Sequence, residues 1–447
     1  MYTGLHLSTQ KHLTASAAIQ TAPAPDRVVL PLNQHTDAAL EPCLQVGDYV
    51  KLGQVIAKPR TALSAWLHAS VSGVIHAIEL RMTAHSEQPV NCIVIDNDGN
   101  DTLDDTLKAG VDWSQLNAIK LCEHIAQGGI VGLGGAAYAT ATKLAAHQRQ
   151  PITTLLINGM ECEPYISCDD HLLRERAITV LHGIQILLHA CGATRAIIAL
   201  EDDKLNASHS LRAALQSLAD KRIELRNVPT AYPSGDEGQL IKQLLDMEIP
   251  HGQLPADIGI IVHNVGTAYA CAQWILQGRP LISRIVTVTG HGVRRTANLE
   301  VRLGTACAAL IAHCGGYQPE VTALIMGGAM MGRALPNDDL PIVKASNCLI
   351  AATHADFAPL YAAQPCIRCG ECMDACPVGL MPQQLHLYLR NNNATAALEL
   401  GLRDCIECGC CDFVCPSHIV LAAQFRTAKQ QHSPPTALST ALLHSQP

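Results

Sequence analysis

Short apolar runs alternate with polar positions through the first hundred residues and break at turn residues. "VGDYVKLGQVIA", Val46 to Ala57, and "HASVSGVIHAIE", His68 to Glu79, each read as strand, turn, strand. That pattern predicts a compact β-sandwich of the biotinyl or lipoyl shape, a barrel-sandwich hybrid, over residues 1–110. From Trp113 the period changes, and apolar residues at helical spacing run up to Ala126. Five glycines follow within eight residues (Gly128, Gly129, Gly132, Gly134, Gly135), and a new helical stretch starts near Thr140. Beyond it, apolar runs at Thr153–Ile157, Ala196–Leu200 and Ile258–Val262 end in polar residues and alternate with helical stretches. Strands alternating with helices predict a parallel, Rossmann-like α/β sheet over residues 111–280, whose ligands bind beyond the strand C-termini.

Composition narrows what such a chain can do. At 447 residues it is too long for one domain, and 48% apolar against 16% charged residues is enough for sizeable cores. Aromatic residues are 3%, so those cores must be built from Ala, Ile, Leu and Val. A net charge of −8 without a basic run argues against nucleic acid as a partner. Gly pairs, His, Asn or charges interrupt every apolar stretch, including Gly304 to Met331, so the chain is not expected to span a membrane itself.

The strongest chemical signal is a repeated cysteine run. Cys366, Cys369, Cys372 and Cys376 precede Pro377, and Cys405, Cys408, Cys411 and Cys415 precede Pro416, each run reading C-x2-C-x2-C-x3-C-P. This is the bacterial ferredoxin spacing for [4Fe–4S] cubanes, in which a tight loop turns three thiolates onto one cluster and the fourth cysteine ligates the other. The expected ligand sets are therefore Cys366, Cys369, Cys372 and Cys415 for one cluster, and Cys405, Cys408, Cys411 and Cys376 for the second. The fourth cysteine of each run is expected at a helix start. Zinc pairs come as separate C-x2-C halves rather than as a triplet plus C-P, and a disulfide framework does not suit a long chain without a signal peptide. The remaining eleven cysteines, such as Cys43, Cys162 and Cys271, show no second ligand spacing.

The glycine-rich loop is a weaker signal. Gly132, Gly134 and Ala137 match G-x-G-x-x-A, but a helix precedes them where the dinucleotide fingerprint needs a strand. A phosphate cradle and a tight helix–helix turn both fit. The strand ends tilt the balance, because they deliver Asn158, Glu161, Glu163, Asp236, Glu237 and Asn264 to the mouth that the loop faces. Carboxylates and amides there suit ribose or ribityl hydroxyls and ring N–H groups, while each acid taken singly fits a solvated loop position equally well.

The blocks "INGMECEPY", "AYPSGDEGQLIKQLL", "HNVGTAYA", "RIVTVTGHGV", "NLEVRLGT" and "GGAMMGRALPNDDLPIVKASNC", in this order and with both cysteine runs, resemble the C subunit of the Rnf (Rsx) ion-translocating electron-transport complex. That family is related to the flavin-bearing, NADH-oxidising subunit of respiratory complex I. The resemblance extends from about Val28 to Arg426 and implies FMN and NAD(H) binding by Gly132, Gly134, Gly135, Lys143, Asn158, Glu161, Glu163, Gly235, Glu237 and Asn264. It implies a ubiquitin-like β-grasp (SLBB) module at 281–350, an α-helical ferredoxin-like domain with two [4Fe–4S] clusters at 351–430, and a disordered tail at 431–447. No residue is singled out as catalytic. The implied activity is that of a ferredoxin:NAD oxidoreductase coupled to ion translocation. The chain would then be a peripheral subunit on the cytoplasmic face of the bacterial inner membrane, exchanging electrons with membrane partners, and the N-terminal sandwich would serve structure or docking. A cobalamin-reductase-like flavin and iron–sulfur enzyme shares these parts, and a non-catalytic cluster-relay adaptor is a third reading. One departure bears on the last: relatives read Gly-Gly-Ala-Gly-Phe-Pro-Thr where this chain has "GGAAYAT", so Ala137 puts a methyl group where glycine allows close approach or a positive φ.

Overall fold

A computed structural model describes residues 4–16, 18–35, 39–61, 63–86, 88–108, 110–357 and 361–432. The expected tail lies almost wholly outside the described residues. The chain divides into two compact bodies. The larger comprises Ser8–Thr230 and Ser234–Ala358; the smaller comprises Met1–Leu7, Ala231–Pro233 and Pro359–Pro447, as far as these are described.

In the larger body, the N-terminal sandwich pairs a four-stranded sheet with a three-stranded one. The first runs in the order Arg27–Pro31, Val90–Asn97, Gly73–Arg81, Tyr49–Val50, and the second Glu41–Pro42, Val55–Lys58, Leu67–His68. Alternation buries Val28, Leu30, Ile75, Ile93 and Ile95. The core of this sandwich is continuous with that of the α/β region and joins Leu30 and Ile56 to Ile125, Leu144 and Leu303. Ser70 Oγ also donates to the Leu303 carbonyl in the β-grasp region.

The α/β region follows as α1 (Ala118–Gln127), α2 (Thr140–Leu144), β1 (Thr154–Gly159), α3 (Cys168–Cys191), β2 (Arg195–Glu201), α4 (Leu205–Leu218), β3 (Ile223–Val228), α5 (Glu237–Leu245), β4 (Ile260–Asn264) and α6 (Val265–Gln277). All three expected strands are present. The last starts two residues late, because Pro255–Ile258 forms a 3-10 turn and Gly259 takes a left-handed conformation before the strand begins. The sheet is parallel in the order β3-β2-β1-β4, so the chain reverses its winding between β1 and β4. Ligands of open parallel sheets sit at that reversal, beyond the strand C-termini. Helices α3 and α6 cross at Gly183, where an added Cβ would lie 1.8 Å from the Ala268 carbonyl oxygen.

The β-grasp sheet runs in the order Gln20–Thr21, Ala297–Arg302, Ser283–Thr289, Cys348–Ala352, Ala323–Met326, Arg333–Ala334. Two of its strands lie beyond or at the edge of the expected 281–350 module. Cys348–Ala352 is an interior strand, and Gln20–Thr21 joins from the N-terminus in parallel register with Leu299 and Glu300.

In the smaller body, short helices surround the cysteine runs, and Leu385, Ala397, Leu402, Leu421 and Phe425 form its core. Among the described residues no helix is long and apolar enough to cross a membrane.

Candidate nucleotide and iron–sulfur sites

Asn158 and Asn264 are direct register partners at the C-terminal ends of β1 and β4, which places both at the winding reversal. The glycine-rich loop between α1 and α2 closes one side. Leu133 N–H donates to Thr267 Oγ1 at 2.9 Å, and Gly132 N–H to the Tyr138 carbonyl at 2.8 Å. Gly135 has φ +108° and needs to be glycine, whereas Gly132 and Gly134 are outside the left-handed region. A Cβ at Gly134 would lie 3.5 Å from the Asn264 side chain and fill the gap between loop and strand end. Ala137 is left-handed, with φ +48°, and buried, so the loop keeps the backbone shape that glycine would favour despite the methyl group. Helix α2 is a single turn prolonged by a 3-10 turn at Ala145–Gln148, so it supplies little dipole to a phosphate.

The opposite wall is polar and largely paired within the protein. Asn158 Nδ2 donates to the Gly235 carbonyl at 2.8 Å, and Lys143 Nζ meets Glu237 Oε1 at 2.6 Å. Asn264 accepts from Gly266 N–H at 2.7 Å and donates to Asp169 Oδ2 at 2.6 Å. The two acids expected to face a ligand are turned to other partners. Glu161 accepts from the Asp169 and Asp170 amides at 2.7 and 3.3 Å, and so caps the start of α3, where free N–H groups favour a carboxylate. Glu163 accepts from the Met330 and Met331 amides at 3.0 and 2.9 Å, and burial pushes its carboxyl up to about 7. An added Cβ at Gly328 would lie 2.3 Å from Glu163 Oε2, so this nest for the carboxylate depends on glycine.

Three residues that the sequence does not flag shape the same mouth. Asp169 sits between Glu161 and Asn264, and burial followed by the charge of Glu161 raises its carboxyl to about 7. Lys344 is 1% exposed and donates to the Trp66 and Gly129 carbonyls, both at 2.8 Å, and burial lowers its ammonium to about 7. Arg284, also buried, donates to the Leu133 carbonyl at 3.2 Å and to that of Lys344. Two basic side chains from the β-grasp region thus hold the glycine-rich loop by its carbonyls. An isolated Lys in "PIVKAS" gives no sequence signal for this, because its partners are main-chain atoms far away in the chain.

The cysteines group across the two runs. One hollow in the smaller body is lined by Cys366, Cys369, Cys372 and Cys415, with Gln383 and His386 on its wall. Cys376, Cys405, Cys408 and Cys411 form the second group, close enough that their charges oppose one another's ionisation. Burial, together with that crowding, raises the Cys405 thiol to about 11. Four crowded sulfurs of this kind fit a cationic metal centre, which relieves the repulsion that hinders ionisation in the protein alone. The runs repeat each other in backbone as well as spacing. Arg368 and Glu407 both have φ +58°, Gly370 and Gly409 are both left-handed, and so are Gly379 and His418. Cys376 and Cys415 do not start helices. Each follows a one-turn helix, Glu371–Asp374 or Cys410–Phe413, and precedes a turn, because the next residue is proline and closes into Gly379 or His418. Tyr232 Oη donates to the Cys408 carbonyl at 2.7 Å.

Family models match along the chain: an RnfC barrel-sandwich hybrid domain at 1–100, a Nuo51 FMN-binding domain at 125–273, an SLBB domain at 285–334 and a 4Fe-4S dicluster domain at 365–419. The chain is 42% identical over 432 residues to the C subunit of an ion-translocating oxidoreductase complex from Rhodobacter capsulatus, covering 95% of this chain and 82% of that protein. It is 43% identical over 429 residues to the protein of the same name from Pseudomonas aeruginosa, of which it spans 55%. Among solved structures, a chain of an air-oxidised NAD+-reducing [NiFe]-hydrogenase matches with a TM-score of 0.50 at 19% identity, over 72% of this chain and 64% of that one, a likeness of fold. On these matches, and on the domains just described, the chain belongs to the family of C subunits of ion-translocating oxidoreductase complexes.

Proposed function

We propose that this electron-transfer subunit exchanges electrons with NAD(H) at an FMN held in the mouth between β1 and β4, and passes them through two [4Fe–4S] clusters to or from membrane-embedded partners. FMN, when bound, supplies the conversion between a hydride and single electrons. The protein's part is to hold and orient. Gly132, Gly134 and Gly135 leave room for a close approach to the loop, and Lys143, steadied by Glu237, offers a cation to a nucleotide phosphate. Asn158 fixes Gly235, Asn264 fixes the start of α3 through Asp169, and Glu161 and Glu163 fix the segment between them. Cys366, Cys369, Cys372 and Cys415 would hold one cluster, and Cys376, Cys405, Cys408 and Cys411 the other. Cys366 and Cys369 are exposed while Cys408 and Cys411 are buried, which favours the first group as the side open to a partner. A peripheral seat on the cytoplasmic face of the inner membrane fits a protein that takes up NAD(H) and works with membrane partners.

The observation that carries this reading is the meeting of a glycine-rich loop, two register-paired asparagines and a lysine–glutamate pair at the one point where the parallel sheet reverses its winding. The left-handed Ala137 weakens the adaptor reading, since the altered loop retains its backbone shape. Anaerobic purification with cofactor extraction tests the proposal. Reconstituted protein should hold about eight iron and eight labile sulfide per chain, as two cubanes require, together with one FMN that NADH reduces. Iron of about two per chain, or zinc in its place, would sink the cluster reading; no FMN retained from an excess would sink the flavin reading.

A further inference from the structure

We propose that the N-terminal strap, residues 8–16 and 18–21, is a working part of the nucleotide mouth, and that Lys11 is a positioning residue holding the acid loop Glu161–Tyr165 in its ligand-ready form. The proposal rests on the FMN reading above. Within that loop, Glu161 and Tyr165 are left-handed without being glycine, with φ +52° and +73°. Side chains of L residues take up that conformation only where the surroundings over-determine it. The strap grips the peptide groups next to these two residues. Lys11 Nζ donates to the Glu161 carbonyl, and the Thr9 carbonyl accepts from Tyr165 N–H at 2.8 Å.

The rest of the strap has the form of an anchor. Thr14 and Ser167 share a buried hydroxyl bond of 2.7 Å, Arg174 donates to the Ala15 carbonyl at 2.8 Å, and Thr296 donates to that of Leu13. Gln20 and Thr21 then join the β-grasp sheet beside Leu299 and Glu300. The strap therefore ties the loop to a rigid sheet on one side, as Glu163 does on the other through the Met330 and Met331 amides. Lys11 also brings charge. Its ammonium lies 3.8 Å from Glu161 Oε2, with the two side chains 13% and 2% exposed, and it offsets the buried acids Glu163, Asp169 and Glu201. Without it, an anionic nucleotide would approach this acidic cluster with one compensating cation fewer.

The test compares the full chain with Lys11→Met and Lys11→Arg, each with its clusters reconstituted, by titration with FMN and by amide hydrogen exchange. Lys11→Met should bind FMN at least tenfold more weakly and exchange faster over residues 160–166, with unchanged iron content. Lys11→Arg, which keeps charge and donors, should stay within about threefold of wild type on the flavin titration. Should Lys11→Met not fold, Lys11→Gln, which keeps a donor without the charge, carries the same comparison. Wild-type FMN affinity in the Met or Gln variant overturns the proposal, as does weakened binding with unaltered exchange over 160–166. Wild-type protein that binds no FMN would instead remove the flavin reading, and the exchange data alone would then decide whether Lys11 holds the loop.

Discussion

The two cysteine runs and the nucleotide mouth are built in opposite ways. Each run reaches its shape through its own short segment: spacing, a left-handed glycine and a proline repeat in both, and two ligand groups result from interleaving them. The mouth is gathered from the α1–α2 loop, the ends of β1 and β4, the start of α5, the strap and the β-grasp region. Where covalent spacing dictates geometry, a chemical site is readable as a motif. Where packing dictates it, a residue's type survives in the reading while its partner does not.

The interleaving gives the largest effect and the sharpest break. Pairing Cys376→Ser with Cys408→Ser should leave one cluster, with about four iron per chain, because both residues belong to one ligand group; pairing Cys376→Ser with Cys369→Ser should damage both clusters and leave almost none. Iron and labile sulfide assays decide it. The reverse pattern would mean that each run ligates locally, without the exchange of its fourth cysteine.

Glu163 supplies the next test, from the packed region. Its carboxyl, ordinarily at 4.5, is raised to about 7 by burial. Between those values the native chain keeps a proton that the unfolded chain has released, so the residue's contribution is full below pH 4.5 and declines as pH rises to about 7. The decline is on the order of 3 kcal/mol. Glu163→Gln, neutral throughout, should lack it, which urea unfolding of both proteins at acidic and neutral pH would reveal as converging curves below pH 4.5. Parallel curves would show that the Met330 and Met331 amides offset the cost of burial, so that the carboxyl keeps its ordinary value.

Particular residues show how much is legible in the sequence. The β1, β2 and β4 strands stand out because buried parallel strands are unbroken apolar runs, and their polar ends mark the mouth. Glu161 and Glu163 are recognisable as acids of the mouth, yet one caps α3 and the other docks a β-grasp turn, since hydrogen bonds to distant main-chain amides leave no pattern in sequence. Lys344 and Lys11 escape notice for the same reason. The N-terminal region reads as a compact sandwich for structure or docking because its strands are self-contained in period. Its shared core and the Trp66 carbonyl beneath Lys344 make it structural to the α/β region. Deleting residues 1–100 should therefore abolish flavin retention and not merely docking.

A smaller effect separates phosphate recognition from mere loop packing. Lys143 meets Glu237 at 2.6 Å while both stay partly exposed, so the pair itself contributes little to stability. Lys143→Ala should leave melting nearly unchanged but weaken FMN binding roughly tenfold, the scale of one charge-assisted hydrogen bond. Equal losses in melting and binding would place Lys143 with the packed residues, outside ligand contact.

Ala137 carries the smallest expected effect, and two terms nearly cancel there. A left-handed alanine costs about 1–2 kcal/mol relative to the right-handed form, a cost that glycine avoids. Glycine in exchange loses more conformational freedom on folding, roughly 0.5–1 kcal/mol, and here gives up a buried methyl group. Ala137→Gly should accordingly shift stability by less than about 1 kcal/mol. Because the loop already has φ +48° at this position, FMN affinity should rise no more than about threefold, a difference that flavin titration of the two proteins resolves. A gain of a hundredfold would mean that the methyl group itself obstructs the ligand. The mouth would then be a packed region whose nucleotide site has closed, and the cysteine groups alone would retain their chemistry.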